Sequence, residues 1–478
     1  MEKANWLQDV YDEIDKVFED EHLPLMLELC RHKSIAGTGE GIEETAKRVM
    51  ELLKMIGCRD IHLERYVLSP IVMGYLDSDI PDAPTIVMYG MYDVQPPEPI
   101  EEWTVPPFGG VVKDFPPYGR CAIVRGIANS KGLLVSFINT VQTIKKVLGY
   151  LPVNIIFVVE GEEEMGSRSM IPFVEKHKEE LRRTCGIFLN GPRQDEYGKP
   201  YTILGNKGII YMELICRGGS WGGPKEVDLH SMNAAWVGSP IWRLVNALDS
   251  MRDQEGYVKI HGFYDDLAPL SSTDEALTEK MIEVFDEKMY LERRLFADKF
   301  LGDKNGSDAM RDLLWQPTLN IDGILGGYTG PATKTVIAHE ARCKLDIRLV
   351  PNMKADDILN KMRAHLDKNG YTDIEIKVNQ TMDWAKSDPD CLAARAAVMA
   401  MDNSGYEGGS PWPIYPGTGP ACVFTQNGLP YISYGLGQFG RIHAPDEWMT
   451  VKGLRENEHS CAAFLYYLTK LAKEDKEK

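Results

Sequence analysis

Residues 154–167 read NIIFVVEGEEEMGS. The apolar, β-branched run Ile155 to Val159 is bounded by Pro152 upstream and Gly161 downstream, which predicts a strand buried on both faces. Four glutamates follow at once, Glu160, Glu162, Glu163 and Glu164, before Gly166 closes the turn. Carboxylates this close repel one another unless water, a cation or a shared proton relieves them. At the carboxyl end of a buried parallel strand such crowding marks a site, whereas on the surface it is only a solvated acidic turn.

Outward from this stretch, helices and strands alternate. Asn5 to Arg31 and Ile42 to Ile56 carry apolar residues at helical spacing, with Gly57 as a stop. Thr85 to Tyr89 and Gly186 to Leu189 predict two more buried strands, and Leu133 to Leu148 a helix whose N-cap falls at Asn129 and Ser130. Strands separated by helices of this length imply an α/β fold with a mostly parallel sheet, and Met91, Glu163, Glu164 and Asn190 all arrive at its carboxyl ends.

After Gly205-Asn206-Lys207-Gly208 the pattern changes to strands with one wet face, Ile209 to Arg217, Thr335 to Ala338 and Ala341 to Val350, with helices at Ser239 to Met251 and Ala355 to Lys368. This predicts a smaller α+β domain over 208–384, inserted into a first domain made of 1–207 and 385–478. The first domain resumes with helical sequence at Asp388 to Met401, strands at Ala421 to Phe424 and Tyr431 to Tyr434, and a last helix at Gly453 to Lys473 followed by a frayed KEDKEK tail.

The 478 residues carry a net charge of -18, which argues against nucleic acid and anionic membranes as partners. Nine scattered cysteines with no CxxC pair suit reduced thiols in a cytoplasmic protein. Residues 1–30 lack a basic segment followed by an apolar core, so no secretory signal is read there, and no apolar run reaches the roughly 18 residues that span a bilayer.

The motifs resemble those of the zinc aminoacylases, carnosine dipeptidases and carboxypeptidase-G-type metallopeptidases, in order and along nearly the whole chain. GMYDVQPPEP is similar to the family's GHxDVQP element, YGRCAIVRGIANSKG to YGRGxxDDKG, and EGEEEMGS to EGxEExGS. WTVPPFGGVV, DLHS, IRLVP, GTGP and HAPDE also have counterparts. The resemblance implies a catalytic domain with an inserted lid that also makes a homodimer, acting on a small-molecule amide or dipeptide-like substrate.

It also implies two zinc ions sharing one aspartate. The matching positions are Met91 for one ion's histidine, Asn129 for the shared aspartate and Asn190 for the same ion's aspartate, with Glu164 and His443 serving the other ion. Glu163 matches the general base, and Asp93 the carboxylate that orients the residue two positions before it. The altered positions fall in a pattern. Every ligand private to one ion is gone, because a thioether is a poor zinc ligand and a carboxamide a neutral, weak one. Two asparagines for two aspartates remove about two negative charges, roughly balancing one lost divalent cation.

His230 matches a lid histidine that bonds a developing oxyanion, against the plain reading of a histidine tying down a turn. Arg348 matches the arginine that grips a substrate carboxylate, against a surface ion pair. Asn320 and the backbone of Gly417, Thr418 and Gly419 are further substrate-binding candidates, against simple turn duties. Trp103, Trp412 and Tyr415 serve equally as pocket lining or packing. Lys131 lies in no GxxxxGK[ST] motif, and no Ser-His-Asp or Cys-His pattern is present.

Three readings stay open. The first is an amidohydrolase that cleaves a C–N bond with one divalent ion, zinc or manganese, held by Glu164, His443 and, weakly, Asn129. The second is a metal-free hydrolase or lyase using Glu163, Glu164 and His443. The third is a binding protein of the same fold that has lost catalysis.

Overall fold

The computed structural model of the protein describes residues 6–195 and 198–478, so Asn5, where the first helix is expected to begin, lies outside the described residues. The chain divides into two compact units. One takes in the chain up to Gly205 together with Lys386–Pro413 and Val423–Lys478, and the other comprises Asn206–Ala385 and Ile414–Cys422.

The first unit is built on an eight-stranded sheet. Its order is Arg59–Glu64, Ile71–Leu76, Asn154–Glu160, Thr85–Met91, Ile187–Asn190, Tyr431–Tyr434, Tyr201–Ile203, Ser410–Trp412. The inner strands from Asn154–Glu160 through Tyr431–Tyr434 are parallel, while the outer pairings Arg59–Glu64 with Ile71–Leu76 and Ile71–Leu76 with Asn154–Glu160 are antiparallel. The apolar run quoted above is therefore central, and Ile155 to Val159 are all buried as its unbroken hydrophobic reading requires.

Helices Lys131–Leu148 and Val451–Glu477 pack on this sheet. Phe188 stacks on Phe464 with ring centroids 3.9 Å apart, and Phe137 lies 6.0 Å from both Phe157 and Phe188. Each such ring, fully buried, contributes roughly 2–3 kcal/mol. Register then fixes the site. Met91 pairs with Glu160 and Asn190 with Tyr434, so three strands deliver polar residues to one end of the sheet.

Two expected elements differ. Ala421–Thr425 is a short helix and not a strand. Pro420 supplies a helical φ just ahead of it, and so short an apolar run as Ala421 to Phe424 carries no period that separates the two states. The last helix runs on to Glu477, so the tail does not fray: Arg395 holds Asp475 at 2.8 Å, and Lys476 Nζ donates to the Asp82 carbonyl at 2.7 Å.

The second unit is a four-stranded antiparallel sheet in the order Thr318–Gly326, Glu340–Leu349, Gly208–Arg217, Glu375–Met382, backed by helices Pro240–Met251 and Ala355–Lys368. Its core joins Ile210, Met212, Leu345 and Ile347 to Leu244, Leu248, Ile358 and Met362. The alternation in Glu340–Leu349 places its odd-numbered residues inward from Ala341 on.

Candidate active site

The strand Asn154–Glu160 empties into a sharp turn. Gly161 packs against the Tyr92 ring so closely that a Cβ there would overlap it, and Gly166 takes φ 90° to end the Glu163–Met165 turn. Glu160 and Glu162 are consequently buried. Glu162 is wholly structural: its carboxylate accepts from the amides of Leu68 (3.0 Å), Ser69 (2.8 Å) and Ser169 (2.6 Å). The acidic stretch is thus not a solvated turn.

Glu164 projects into the site. The Asp93 carboxylate accepts from its backbone amide at 3.0 Å, and Gln95 Nε2 donates to its Oε2 at 2.8 Å, leaving Oε1 aimed at two other groups. Those are His443 Nε2 at 3.0 Å and Asn129 Nδ2 at 2.9 Å, and Asn129 Nδ2 is also 2.9 Å from His443 Nε2. A carboxylate, an imidazole and a carboxamide therefore form a near-equilateral triangle. His443 is about half exposed and Glu164 buried, so the triangle opens on one side. Neither residue expected to cap the following helix does so: Ser130 donates to Asn129 Oδ1 at 2.9 Å, and no side chain caps that helix.

Carboxyl groups crowd together behind the triangle. Burial, then the neighbouring carboxylates of Glu164, Asp93 and Glu160, push Glu163 well above the carboxylate range. Burial lifts Asp93 to about 7 and Glu160 to about 8. The hydrogen bond to Glu164 raises His443. Asp93 Oδ1 and Glu160 Oε2 are buried without a partner among the described residues.

The other altered positions are Met91 and Asn190. Met91 is buried at its strand end. Asn190 is buried too, and its Nδ2 donates to the Leu133 carbonyl and to Asn457 Oδ1, both at 2.8 Å. Asn457 in turn accepts from Ser136 Oγ at 2.6 Å and donates to the Leu436 carbonyl at 2.9 Å. Sequence reasoning passed over Asn457, which lies 267 residues from its partner and belongs to no motif.

Glu447, Arg125 and Gln95 were also passed over. The signal was present, since Gln95 ends the GMYDVQ element and Glu447 the HAPDE element. Trp103 lies under the Arg125 guanidinium and bonds the Pro97 carbonyl, a packing role.

In the second unit, Arg348 donates from Nε to Asp346 at 3.1 Å and from Nη1 to Thr418 Oγ1 at 2.8 Å, and Thr418 donates to the Lys207 carbonyl. Asn320 donates to the other Asp346 oxygen at 3.1 Å. Arg348, Asn320 and the Gly417–Gly419 turn therefore share one cluster. Burial and then the Arg348 charge lower the adjacent Lys207 to about 7. His230 closes a turn, its Nδ1 accepting from the Met232 amide and its Nε2 lying 3.1 Å from Thr335 Oγ1.

Residues 87–468 match peptidase family M20/M25/M40. The chain belongs to that family. Among its relatives, the rat Beta-Ala-His dipeptidase is 28% identical over 427 residues, covering 84% of this chain and 80% of the rat protein. The Cys-Gly metallodipeptidase DUG1 of Saccharomyces cerevisiae is 28% identical over 343 residues, 68% of this chain and 67% of the yeast protein. Among solved structures, the M20 family metallo-carboxypeptidase Sso-CP2 of Sulfolobus solfataricus superposes with a TM-score of 0.82 at 30% identity, covering 94% of this chain and all of the other.

An M20 metal centre can be tested against these side chains. The set built on Met91 and Asn190 fits an ion poorly, because a thioether is a weak donor to zinc and Asn190, whose Nδ2 is held by Leu133 and Asn457, offers only a neutral carboxamide oxygen. Among the described residues no group of three or more His, Cys, Asp or Glu side chains is arranged to hold one. The Glu164–His443–Asn129 triangle does fit a single ion: two strong donors 3.0 Å apart are joined by a carboxamide that offers oxygen when turned end for end. No helix among the described residues is long and apolar enough to cross a membrane.

Proposed function

We propose that the chain is a dipeptidase-like amidohydrolase that cleaves a C–N amide bond in a small, carboxylate-bearing substrate at an incomplete metal centre. The observation that carries this reading is the triangle of Glu164 Oε1, His443 Nε2 and Asn129 Nδ2, with sides of 2.9–3.0 Å, beside Glu163 in the chain. The dipeptidase activities for which the rat and yeast relatives are named support the substrate class.

Glu164 and His443, with Asn129, would hold one zinc or manganese ion. When bound, that ion supplies Lewis acidity to the scissile carbonyl. Glu163 takes the proton of the attacking water and returns it to the leaving amine. Asp93 fixes the turn by accepting from the Glu164 amide. In the same reading Arg348, aided by Asn320 and the Gly417-Thr418-Gly419 turn, binds the substrate carboxylate, and His230 bonds the developing oxyanion.

Residues 1–207 and 385–478 form the catalytic domain in this reading, and 208–384 a lid that makes a homodimer. Ile321, Ile324 and Leu325 on the edge strand Thr318–Gly326, and Trp242 and Val245 on helix Pro240–Met251, are exposed apolar residues that a second copy would cover. A cytoplasmic location is supported by nine cysteines that are all free thiols.

One observation favours a second, metal-free reading: the Asn129 carboxamide donates to Glu164 Oε1, and a protonated His443 Nε2 donates to the same oxygen, so that carboxylate is satisfied without a cation. Assay of β-alanyl-histidine, cysteinyl-glycine and N-acyl amino acids, with and without chelator, separates the two. Hydrolysis that chelator abolishes and zinc or manganese restores supports the single-ion enzyme. Chelator-resistant turnover supports the metal-free one, and absence of all turnover overturns both.

A further inference from the structure

The Glu447 carboxylate is fully buried and its two oxygens accept four hydrogen bonds. Oε2 takes Arg125 Nη1 at 2.9 Å and the Gly126 amide at 3.1 Å, and Oε1 takes the amides of Ala128 and Asn129, each at 3.1 Å. The segment that precedes Asn129 is therefore wrapped around one side chain. That side chain lies four residues after His443, and the strand behind it, Trp448–Thr450, pairs with Arg120–Ile123.

Arg125 extends the anchor. It donates to the Pro96 carbonyl at 3.3 Å and lies 5.3 Å over the Trp103 ring, while the Thr104 amide bonds Asp446 at 2.8 Å. Four loops of the site, those carrying Gln95, Trp103, Asn129 and His443, thus meet at one buried ion pair.

We propose that Glu447 is a positioning residue for the reaction, whose carboxylate sets the register at which the Asn129 carboxamide meets Glu164 and His443. This rests on the reading of that triangle as the reactive corner. The geometry demands a carboxylate. All four partners are donors, so a glutamine would turn an NH2 group against two of them, and its loss of charge would strand Arg125 in the interior.

Counter-ion duty and positioning duty are separable. Glu447→Gln combined with Arg125→Met removes both charges together, so a residue that merely neutralises Arg125 becomes dispensable in that background. The single variant and the double variant are compared with wild type in thermal midpoint, in kcat and KM on the dipeptide turned over best, and in zinc affinity by titration calorimetry with the metal alone. The single variant is expected to melt lower, to lose roughly 10–100-fold in kcat and in zinc affinity, and to keep its KM. The double variant is expected to recover its melting temperature and to keep both losses.

A double variant that regains wild-type kcat and zinc affinity overturns the proposal, as does a single variant that melts lower with both unchanged. Should the single variant not fold, the double variant alone decides. Should wild type neither hydrolyse the dipeptides nor bind zinc, the functional reading fails, and crystal structures of wild type and the double variant still decide this one. Asn129 displaced from Glu164 and His443 supports it, and Asn129 unmoved overturns it.

Discussion

Asn190 Nδ2 donates to Asn457 Oδ1 across 2.8 Å, joining the end of strand Ile187–Asn190 to the second turn of helix Val451–Glu477. The same amide donates to the Leu133 carbonyl, so both of its hydrogens are committed to acceptors. A position that the family resemblance assigns to a metal-binding aspartate is here an interior strut.

An aspartate at position 190 would face the Leu133 carbonyl and Asn457 Oδ1 with acceptors against acceptors. Asn190→Asp is expected to destabilise the chain by about 3 kcal/mol, the cost of a buried charge without donors. Chemical denaturation measures this, and a change below about 0.5 kcal/mol would contradict the strut. With Met91→His and Asn129→Asp added, excess zinc is expected to restore part of the loss by binding the native state.

Glu163 sits beside the triangle with no structural duty comparable to that of Glu162. Glu163→Gln is expected to lower kcat by roughly 10²–10⁴-fold, the usual worth of a positioned general base. Ligand affinity, measured calorimetrically on the inactive variant, is expected to be nearly unchanged. An equal fall in affinity would assign the side chain to binding.

Arg348 already spends Nε on Asp346 and Nη1 on Thr418, which orients its planar fork. Arg348→Lys keeps the charge and loses the fork, so KM is expected to rise about tenfold with kcat little altered. A selective loss of kcat would place the residue outside ground-state binding.

Glu160 gives the pH dependence. Burial raises its carboxyl to about 8 in the folded chain, against about 4.3 when unfolded. The folded state thus holds the extra proton between those values, and the stability it confers is full below the lower and lost as pH climbs to the higher. Glu160→Gln keeps an oxygen for Tyr89 and Ser167 and removes the titration. Relative to wild type the variant is expected to gain stability by a few kcal/mol between pH 5 and 9, read as a rising difference in thermal midpoint. A constant difference across that range would contradict the assignment.

Much of this was legible in the residues because it is local. A β-branched run between Pro152 and Gly161 has few options, and Tyr431–Tyr434 and Ala355–Lys368 fold over the spans their patterns predict. The halves of the site were legible because ligand chemistry is written in residue type. What stayed hidden is long-range. Glu447 meets Asn129 across 318 positions and Asn457 meets Asn190 across 267, and no period or spacing marks such pairs. The Ala421–Thr425 helix was hidden for the opposite reason, being too short to show a period.

The ion content of the purified chain bears most directly on the remodelled centre. Elemental analysis after equilibration with excess zinc and removal of loosely held metal is expected to find no more than one ion per chain, released readily to a chelator. Two tightly held ions per chain would show that Met91, Asn129 and Asn190 do not stand where a metal has been given up.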